Sequence, residues 1–162
     1  MRKLVSVMLL LVFPVVVLGD TGTTWTKVRY NGGPVKSTVG PKDWDNKFTV
    51  APDMIRFITK DGQVFEVKPS EVTGLSYGGE AHRHVAMFVS LGIIVAPIAL
   101  FGLLHKQKLH FIGIEYAKAD STKGGLLIQG ADQNYREMLF QLKSVTGKPI
   151  AASEKDKAEV NP

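Results

Sequence analysis

Four histidines are the side chains of this sequence best suited to holding a metal ion, and all of them flank one apolar stretch. They are His82, His84, His105 and His110. On an extended chain, His82 and His84 would share one strand face, and a hairpin would bring His105 near them, which allows a zinc, copper or haem-iron site. Histidine at a membrane boundary is common as a polar, partly charged flank, where it needs no ion, and we favour this interpretation. We therefore assign no metal and no cofactor, and keep the four residues as candidates.

Residues 74–78 read G-L-S-Y-G, which matches the elbow that exposes a serine nucleophile between a strand and a helix in hydrolases. That chemistry needs an acid and then a histidine downstream of the serine. No histidine follows His110, and Glu80 is the only acid between Ser76 and that point. Asp120 comes too late in the chain. The two glycines of the pattern therefore indicate the end of a strand, and hydrolysis is not favoured.

Other catalytic groups are missing from the sequence as well. The chain has no cysteine, which removes thiol nucleophiles, disulfides, zinc-thiolate sites and a lipid-modified cysteine together. It has no glycine-rich phosphate loop, P-loop lysine or paired catalytic carboxylates. The net charge is +5 in 162 residues, and about +3 without Arg2 and Lys3, which is too small to favour nucleic acid. We predict a protein that is not an enzyme, has no catalytic residues and binds no nucleic acid.

The first residues, 1–19, are typical of a secretory signal peptide. Arg2 and Lys3 precede an apolar run, 4–18, and Gly19 follows it as a small residue at the cleavage site. An uncleaved anchor helix is the alternative, although Pro14 interrupts a run that is already short for crossing a bilayer. Both readings place the rest of the chain outside the cytoplasm, because the positive flank stays inside.

A second apolar stretch, 85–104, holds twenty residues without one charge. We call it the apolar segment. As one helix it would be about 30 Å long, enough to span a bilayer. It could also be a re-entrant hairpin that reverses near Gly92 and Pro97, or an insert buried in the protein or in an oligomer interface. Basic residues flank it and would meet anionic head groups, namely Arg83, Lys106 and Lys108.

The large apolar side chains of this segment are the candidates for insertion into lipid. They are Met87, Phe88, Leu91, Ile93, Ile94, Ile98, Leu100, Phe101 and Leu103. Membrane contact is expected for both the spanning helix and the hairpin, so the predicted partner is a lipid bilayer, together with an envelope protein as a further candidate.

The remainder of the chain predicts short strands followed by one helix. Seven runs alternate or are rich in β-branched and aromatic residues: 27–30, 46–50, 54–59, 64–67, 72–77, 108–117 and 125–129. The pair Asp61-Gly62 predicts a tight hairpin turn that brings Thr59 and Val64 onto adjacent strands.

The closing helix is predicted from apolar residues at helical spacing, which are Tyr135, Met138, Leu139, Leu142 and Val145. Asp132 is expected to cap its start and Gly147 to end it, with Pro149 preventing continuation. The residues from 149 to 162 are charged or small, and we expect them to be disordered.

Seven antiparallel strands and a closing helix resemble the bacterial PH-like (pleckstrin-homology) and GRAM-type domains. The resemblance lies in 54–58 (MIRFI), 64–67 (VFEV), 69–75 (PSEVTGL), 109–114 (LHFIGI) and the closing helix. It extends over about 25–147, with the apolar segment as an interruption. A generic β-sandwich with one helix is the alternative.

The resemblance implies a mainly β (α+β) fold, with a bent antiparallel sheet or barrel and a C-terminal amphipathic helix. It divides the chain into one PH-like domain, 20–84 and 105–148, with the segment 85–104 inserted in it. Lys27 and Arg29 resemble the basic pair of phosphoinositide-binding members, or are the solvated face of a strand. Trp25 and Trp44 could line a ligand groove, anchor at lipid, or pack in the core.

The function that follows is a non-catalytic, membrane-associated binding or scaffolding module. The resemblance places it in a bacterial-type envelope, exported and at the periplasmic or extracytoplasmic face. The alternative from another class is a metal-binding or sensing protein that uses the histidines.

Overall fold

A computed structural model describes residues 22–87, 94–95 and 109–160. The predicted signal peptide and most of the apolar segment lie outside these residues. The described part holds two β-sheets, three α-helices and one short 3-10 helix at Pro69–Glu71.

The strands and helices follow one another along the chain with short connections. The strands are β1 (Thr23–Trp25), β2 (Val28–Gly33), β3 (Lys47–Val50), β4 (Ile55–Ile58), β5 (Val64–Val67), β6 (Val72–Tyr77), β7 (Ile94–Val95), β8 (His110–Ala117), β9 (Lys123–Gly130) and β10 (Ile150–Ala151). The helices are α1 (Gly79–Ala86), α2 (Tyr135–Thr146) and α3 (Lys157–Val160).

The two sheets pack around one apolar core. One sheet has the order β1-β3-β4-β5 and the other has the order β10-β6-β8-β9-β2-β7. Alternation along each strand fills the space between them: Ile55 and Phe57 of β4 are fully buried, and Ile112 and Ile114 of β8 face the same core. Neighbouring strands are antiparallel, apart from β10, which runs parallel to β6.

Helix α2 packs against this core as the amphipathic pattern predicts. Tyr135, Met138, Leu139 and Leu142 are buried. Gly147 ends the helix in a left-handed conformation at φ +66°, and its N–H donates to the carbonyl of Lys143. All seven predicted strands and the closing helix are present, so the mainly β fold class with a C-terminal amphipathic helix is confirmed. In the described residues the strands form two sheets and no closed barrel.

Three local predictions need a correction. The start cap of α2 is Asn134, without a side-chain hydrogen bond, because Asp132 instead faces His110. The predicted hairpin between β4 and β5 is present, but its turn is longer than two residues: Ile58 pairs with Val64, and the N–H of Gly62 donates to the carbonyl of Thr59. Gly62 has φ +84°, whereas Asp61 stays at negative φ.

The third difference is the end of the chain, which was expected to be disordered. Residues 150–151 form β10 beside β6, and Val160 is buried in the main core. The Glu159 carboxylate accepts hydrogen bonds from the Tyr135 hydroxyl at 2.5 Å and from Arg136 at 2.6 Å. The composition of this segment is polar, but one buried valine and one shared carboxylate attach it to α2.

Candidate functional site

Helix α1 lies on the outer face of the six-stranded sheet, opposite the main core. Its buried residues Ala81 and Val85 pack with Phe111 and Leu127, and Leu109 contacts the same group at its edge. These five residues form what we call the outer cluster. Gly113 of β8 allows the helix to come this close, since a Cβ there would lie 3.1 Å from the Cα of Ala81.

The outer cluster joins the two ends of the apolar segment. Val85 is the first residue of that segment and belongs to α1, which ends at Ala86. Leu109 immediately follows the basic flank on the other side, and β8 begins at His110. The described residues on either side of the segment therefore lie at one place on the same sheet face.

The middle of the apolar segment also contacts the folded body. Strand β7, Ile94–Val95, pairs its backbone with Gly32 and Gly33 at the edge of β2. These two residues lie between Gly92 and Pro97, the positions at which a hairpin was expected to reverse. Among the residues that the structure describes, no helix is long and apolar enough to cross a membrane.

The predicted insertion and head-group residues are placed only in part. Met87 is 64% exposed just after α1, and Arg83 is exposed on α1, where it pairs with Glu80 at 2.9 Å. The backbone of Ile94 lies in β7. The other candidates, Phe88, Leu91, Ile93, Ile98, Leu100, Phe101, Leu103, Lys106 and Lys108, lie outside the described residues.

The histidines do not converge in the part of the chain that the structure describes. His82 and His84 were expected on one strand face, but both lie on α1, where a spacing of two residues points them apart. His84 Nδ1 is 2.8 Å from a Glu115 carboxylate oxygen on the outer face of β8. His105 lies outside the described residues.

His110 belongs to the opposite, inner side of β8. Its Nδ1 is 2.6 Å from the Tyr77 hydroxyl, and its Nε2 is 3.2 Å from Asp132. The imidazole stacks on the ring of Tyr135 with centroids 3.6 Å apart. The sheet therefore separates His84 from His110, and the described residues contain no cluster of three metal-ligating side chains.

The serine pattern of residues 74–78 spans the end of β6 and the turn into α1. Ser76 is fully buried within β6 instead of being exposed on the turn. A Cβ at Gly113 would lie 2.4 Å from its Oγ, so the hydroxyl faces a neighbouring strand. Gly78, at φ +64°, makes the turn into α1. This geometry does not present Ser76 to a substrate.

A polar cavity lies near the outer cluster, where β2 and β8 begin and β9 ends. Its volume is about 480 Å³, and Leu109 joins it to the base of the apolar segment. The residues that line it are Arg29, Trp44, Leu109, Gln129, Ala131, Asp132 and Gln133. Arg29 and Gln129 lie opposite each other on paired strands.

The Arg29 guanidinium is the charged centre of this cavity. It lies over the Trp44 ring, 4.0 Å from its centroid, which is the geometry of a cation–π contact. One Nη is 3.5 Å from the Gln129 side-chain oxygen, and Nε is buried without a hydrogen-bond partner. Burial lowers the pKa of Arg29. Lys27, its predicted partner in a basic pair, is exposed before β2 and does not line the cavity.

The two tryptophans therefore have different roles. Trp25 is in the core, where it stacks on Phe48 and donates its N–H to Glu137 at 3.1 Å. Trp44 lines the cavity beneath Arg29.

Sequence reasoning found Arg29 by its alternation with apolar residues, but it missed Gln129 and Gln133. Nothing in the local pattern marks these amides, because a fold with distant pairing brings them to Arg29.

The comparisons with known proteins add little to this geometry. No protein-family model matches the chain, and no curated protein matches it. A chain of the solved structure entitled "Structure of the Spt16D Pob3N heterodimer" is similar, with a TM-score of 0.47 and 9% sequence identity. The match covers 82% of this chain and 54% of that chain, so this protein spans about half the length of its structural neighbour.

Proposed function

We propose that this protein is an exported, non-catalytic module that associates with a membrane surface through its apolar segment and acts there in binding or scaffolding. The observation that carries the proposal is the outer cluster. Val85, the first residue of the segment, and Leu109, which follows its basic flank on the other side, belong to one packed group on one sheet face. A segment whose ends meet in this way returns to the side from which it left.

The contact that this geometry favours is monotopic. The pairing of β7 with β2 keeps the middle of the segment at the sheet edge, so the apolar residues before and after β7 are the ones that would enter lipid. Monotopic helices bury their apolar faces about 5–10 Å into the boundary between head groups and acyl chains. Arg83, Lys106 and Lys108 flank the segment and would meet anionic head groups.

We propose a non-catalytic protein because the described side chains that could act in catalysis are instead packed in the fold or paired with one another. Ser76 is buried within a strand, and His84 and His110 lie on opposite faces of β8. The exported location rests on the sequence of residues 1–19.

Fractionation of cells that express the full chain tests membrane attachment. We expect the protein to stay with membranes through salt and alkaline washes and to leave them in detergent. Three changes, Leu100→Asn, Phe101→Asn and Leu103→Asn, should release it. The matched control is Phe140→Asn, because Phe140 is 67% exposed on α2 and is not part of the apolar segment. Release of the unaltered chain by salt alone would refute lipid insertion.

A pair of deletions tests whether the segment is independent of the folded body. Replacing 88–108 by a short glycine-serine linker keeps Val85 and Leu109, so the variant should fold and become soluble. Deleting 85–104 also removes Val85, which is fully buried. This deletion should lower the free energy of unfolding by about 1.5–3 kcal/mol more than the linker replacement does. If the two deletions are equally stable by thermal denaturation, the outer cluster does not anchor the segment.

A further inference from the structure

The cavity around Arg29 has a charge arrangement that the fold itself does not require. Arg29 forms one long hydrogen bond, to Gln129, and a cation–π contact with Trp44. Among the described residues, Arg29 has no ion pair with a carboxylate. Its Nε is also buried without a partner.

An unpaired, partly desolvated guanidinium lowers the stability of the ligand-free protein. A buried donor that loses water without gaining an acceptor weakens folding, whereas the same donor binds an anion strongly when one is supplied. Trp44 holds one face of the guanidinium and so fixes the direction in which its N–H groups point. This combination is typical of a binding site that is complete only when an anion is present.

The other wall of the cavity carries the opposite charge. The Asp132 side chain is 83% exposed, and one of its carboxylate oxygens is 3.2 Å from His110 Nε2. This contact with His110 orients the carboxylate and leaves its solvent-exposed side free to bind a ligand. Gln133 adds an amide beside it.

We propose that this cavity binds a small zwitterion, in which a phosphate or carboxylate pairs with Arg29 and an ammonium group a few atoms away pairs with Asp132. The volume of about 480 Å³ accepts a molecule of this size. Such a group occurs as a lipid head group, as in phosphoethanolamine, and as a free amino acid. The site does not depend on whether the apolar segment enters lipid, so it can fail or stand separately from the membrane proposal.

Calorimetric titration of the detergent-solubilised full chain tests the site, with O-phosphoethanolamine and β-alanine as probes. We expect saturable binding of at least one of them. Ethanolamine, which lacks the anion, and methyl phosphate, which lacks the ammonium, should each bind at least about tenfold more weakly.

Three variants assign the two charges. Arg29→Met should weaken binding at least about tenfold and raise the melting temperature without ligand, because it removes the unpaired buried donor. Asp132→Asn should weaken binding of the zwitterion but not binding of methyl phosphate. The variant should fold normally, because the substituted side chain is exposed. Lys27→Met is the matched control, since Lys27 is a nearby exposed cation outside the cavity.

Vesicle flotation then separates the two sources of the ligand. If phosphatidylethanolamine vesicles hold the unaltered chain better than Arg29→Met, the zwitterion is a lipid head group. If the two chains float equally while the soluble probes still need Arg29, it is a free molecule. Absence of binding by both soluble probes, or equal affinity in Arg29→Met, would overturn the proposal.

Discussion

Gly113 is the position at which a single added methyl group should separate α1 from the sheet. A Cβ there would lie 2.4 Å from Ser76 Oγ, 3.1 Å from the Cα of Ala81 and 3.2 Å from the carbonyl oxygen of Ala81. The first distance is shorter than real Cβ contacts allow, and the other two belong to backbone that moves only with the helix. The variant Gly113→Ala therefore tests whether α1 is docked on β8.

We expect Gly113→Ala to lower the free energy of unfolding by about 1–3 kcal/mol, the usual effect of overpacking. Gly40→Ala is the control, because nothing lies within 4 Å of a Cβ there. It should be neutral or more stable by about 0.4–1 kcal/mol, since alanine has less backbone entropy in the unfolded chain.

A second change shows how much of the stability lost in Gly113→Ala comes from the contact with Ser76 and how much from the contacts with Ala81. Ser76→Ala removes the nearest atom, a buried hydroxyl without a hydrogen-bond partner, so by itself it should be nearly neutral. In the double variant the contacts with Ala81 remain. Adding Gly113→Ala to Ser76→Ala should therefore lower the free energy of unfolding by less than Gly113→Ala does alone, but by more than zero. Thermal and urea denaturation of the four proteins gives the coupling energy, expected at about 0.5–3 kcal/mol. If Gly113→Ala is as stable as Gly40→Ala, helix α1 does not pack on β8.

Three further changes test other parts of the structure. Hydrogen bonds from the Thr59 hydroxyl and the Thr38 N–H lower the pKa of Asp61 to about 2 in the folded chain, against 3.8 ordinarily, so its stabilising effect is present above pH 4 and disappears as the pH falls to 2. Asp61→Asn should accordingly be less stable than the unaltered chain at pH 6 and equal to it near pH 2 in urea denaturation; a constant difference would contradict this. Val160→Ser should lower the free energy of unfolding by about 1–2 kcal/mol, because Val160 is buried in the core, and an unchanged melting temperature would mean that the chain end is not packed. Tyr77→Phe removes a hydroxyl that lies 2.6 Å from buried His110 Nδ1 and should weaken folding by about 1–2 kcal/mol; no change would show that the pair is not formed.

Local patterns were sufficient for most strands and for α2. Alternation in β4 and helical spacing from Tyr135 to Leu142 depend only on neighbouring residues, and both predictions are confirmed. Helix α1 was missed because Gly78 and Gly79 suggested only a strand end, while the docking that stabilises the helix depends on Gly113, more than thirty residues away. The ordered chain end was missed for a similar reason, since Val160 packs in a core formed by residues that are distant from it in the sequence.

The candidate site, too, could be predicted from the sequence only in part. The apolar segment and its basic flanks are visible in composition, and Arg29 is visible as a polar residue on an alternating strand. That the two ends of the segment share the outer cluster, and that Gln129 and Asp132 lie around Arg29, depends on pairings between distant strands. The histidine hypothesis grouped residues by their closeness in sequence, although His84 and His110 face opposite sides of β8.

Chemical labelling tests most directly whether the apolar segment returns to the side from which it left. The chain has no cysteine, so Ser70→Cys and Ser144→Cys each create one exposed thiol, before and after the segment. With a membrane-impermeant maleimide, we expect both thiols to react to the same extent before the membrane is permeabilised. If one thiol reacts at once and the other reacts only after permeabilisation, the segment spans the bilayer, and β6 and β8, which lie before and after it in the sequence, cannot be paired in one sheet.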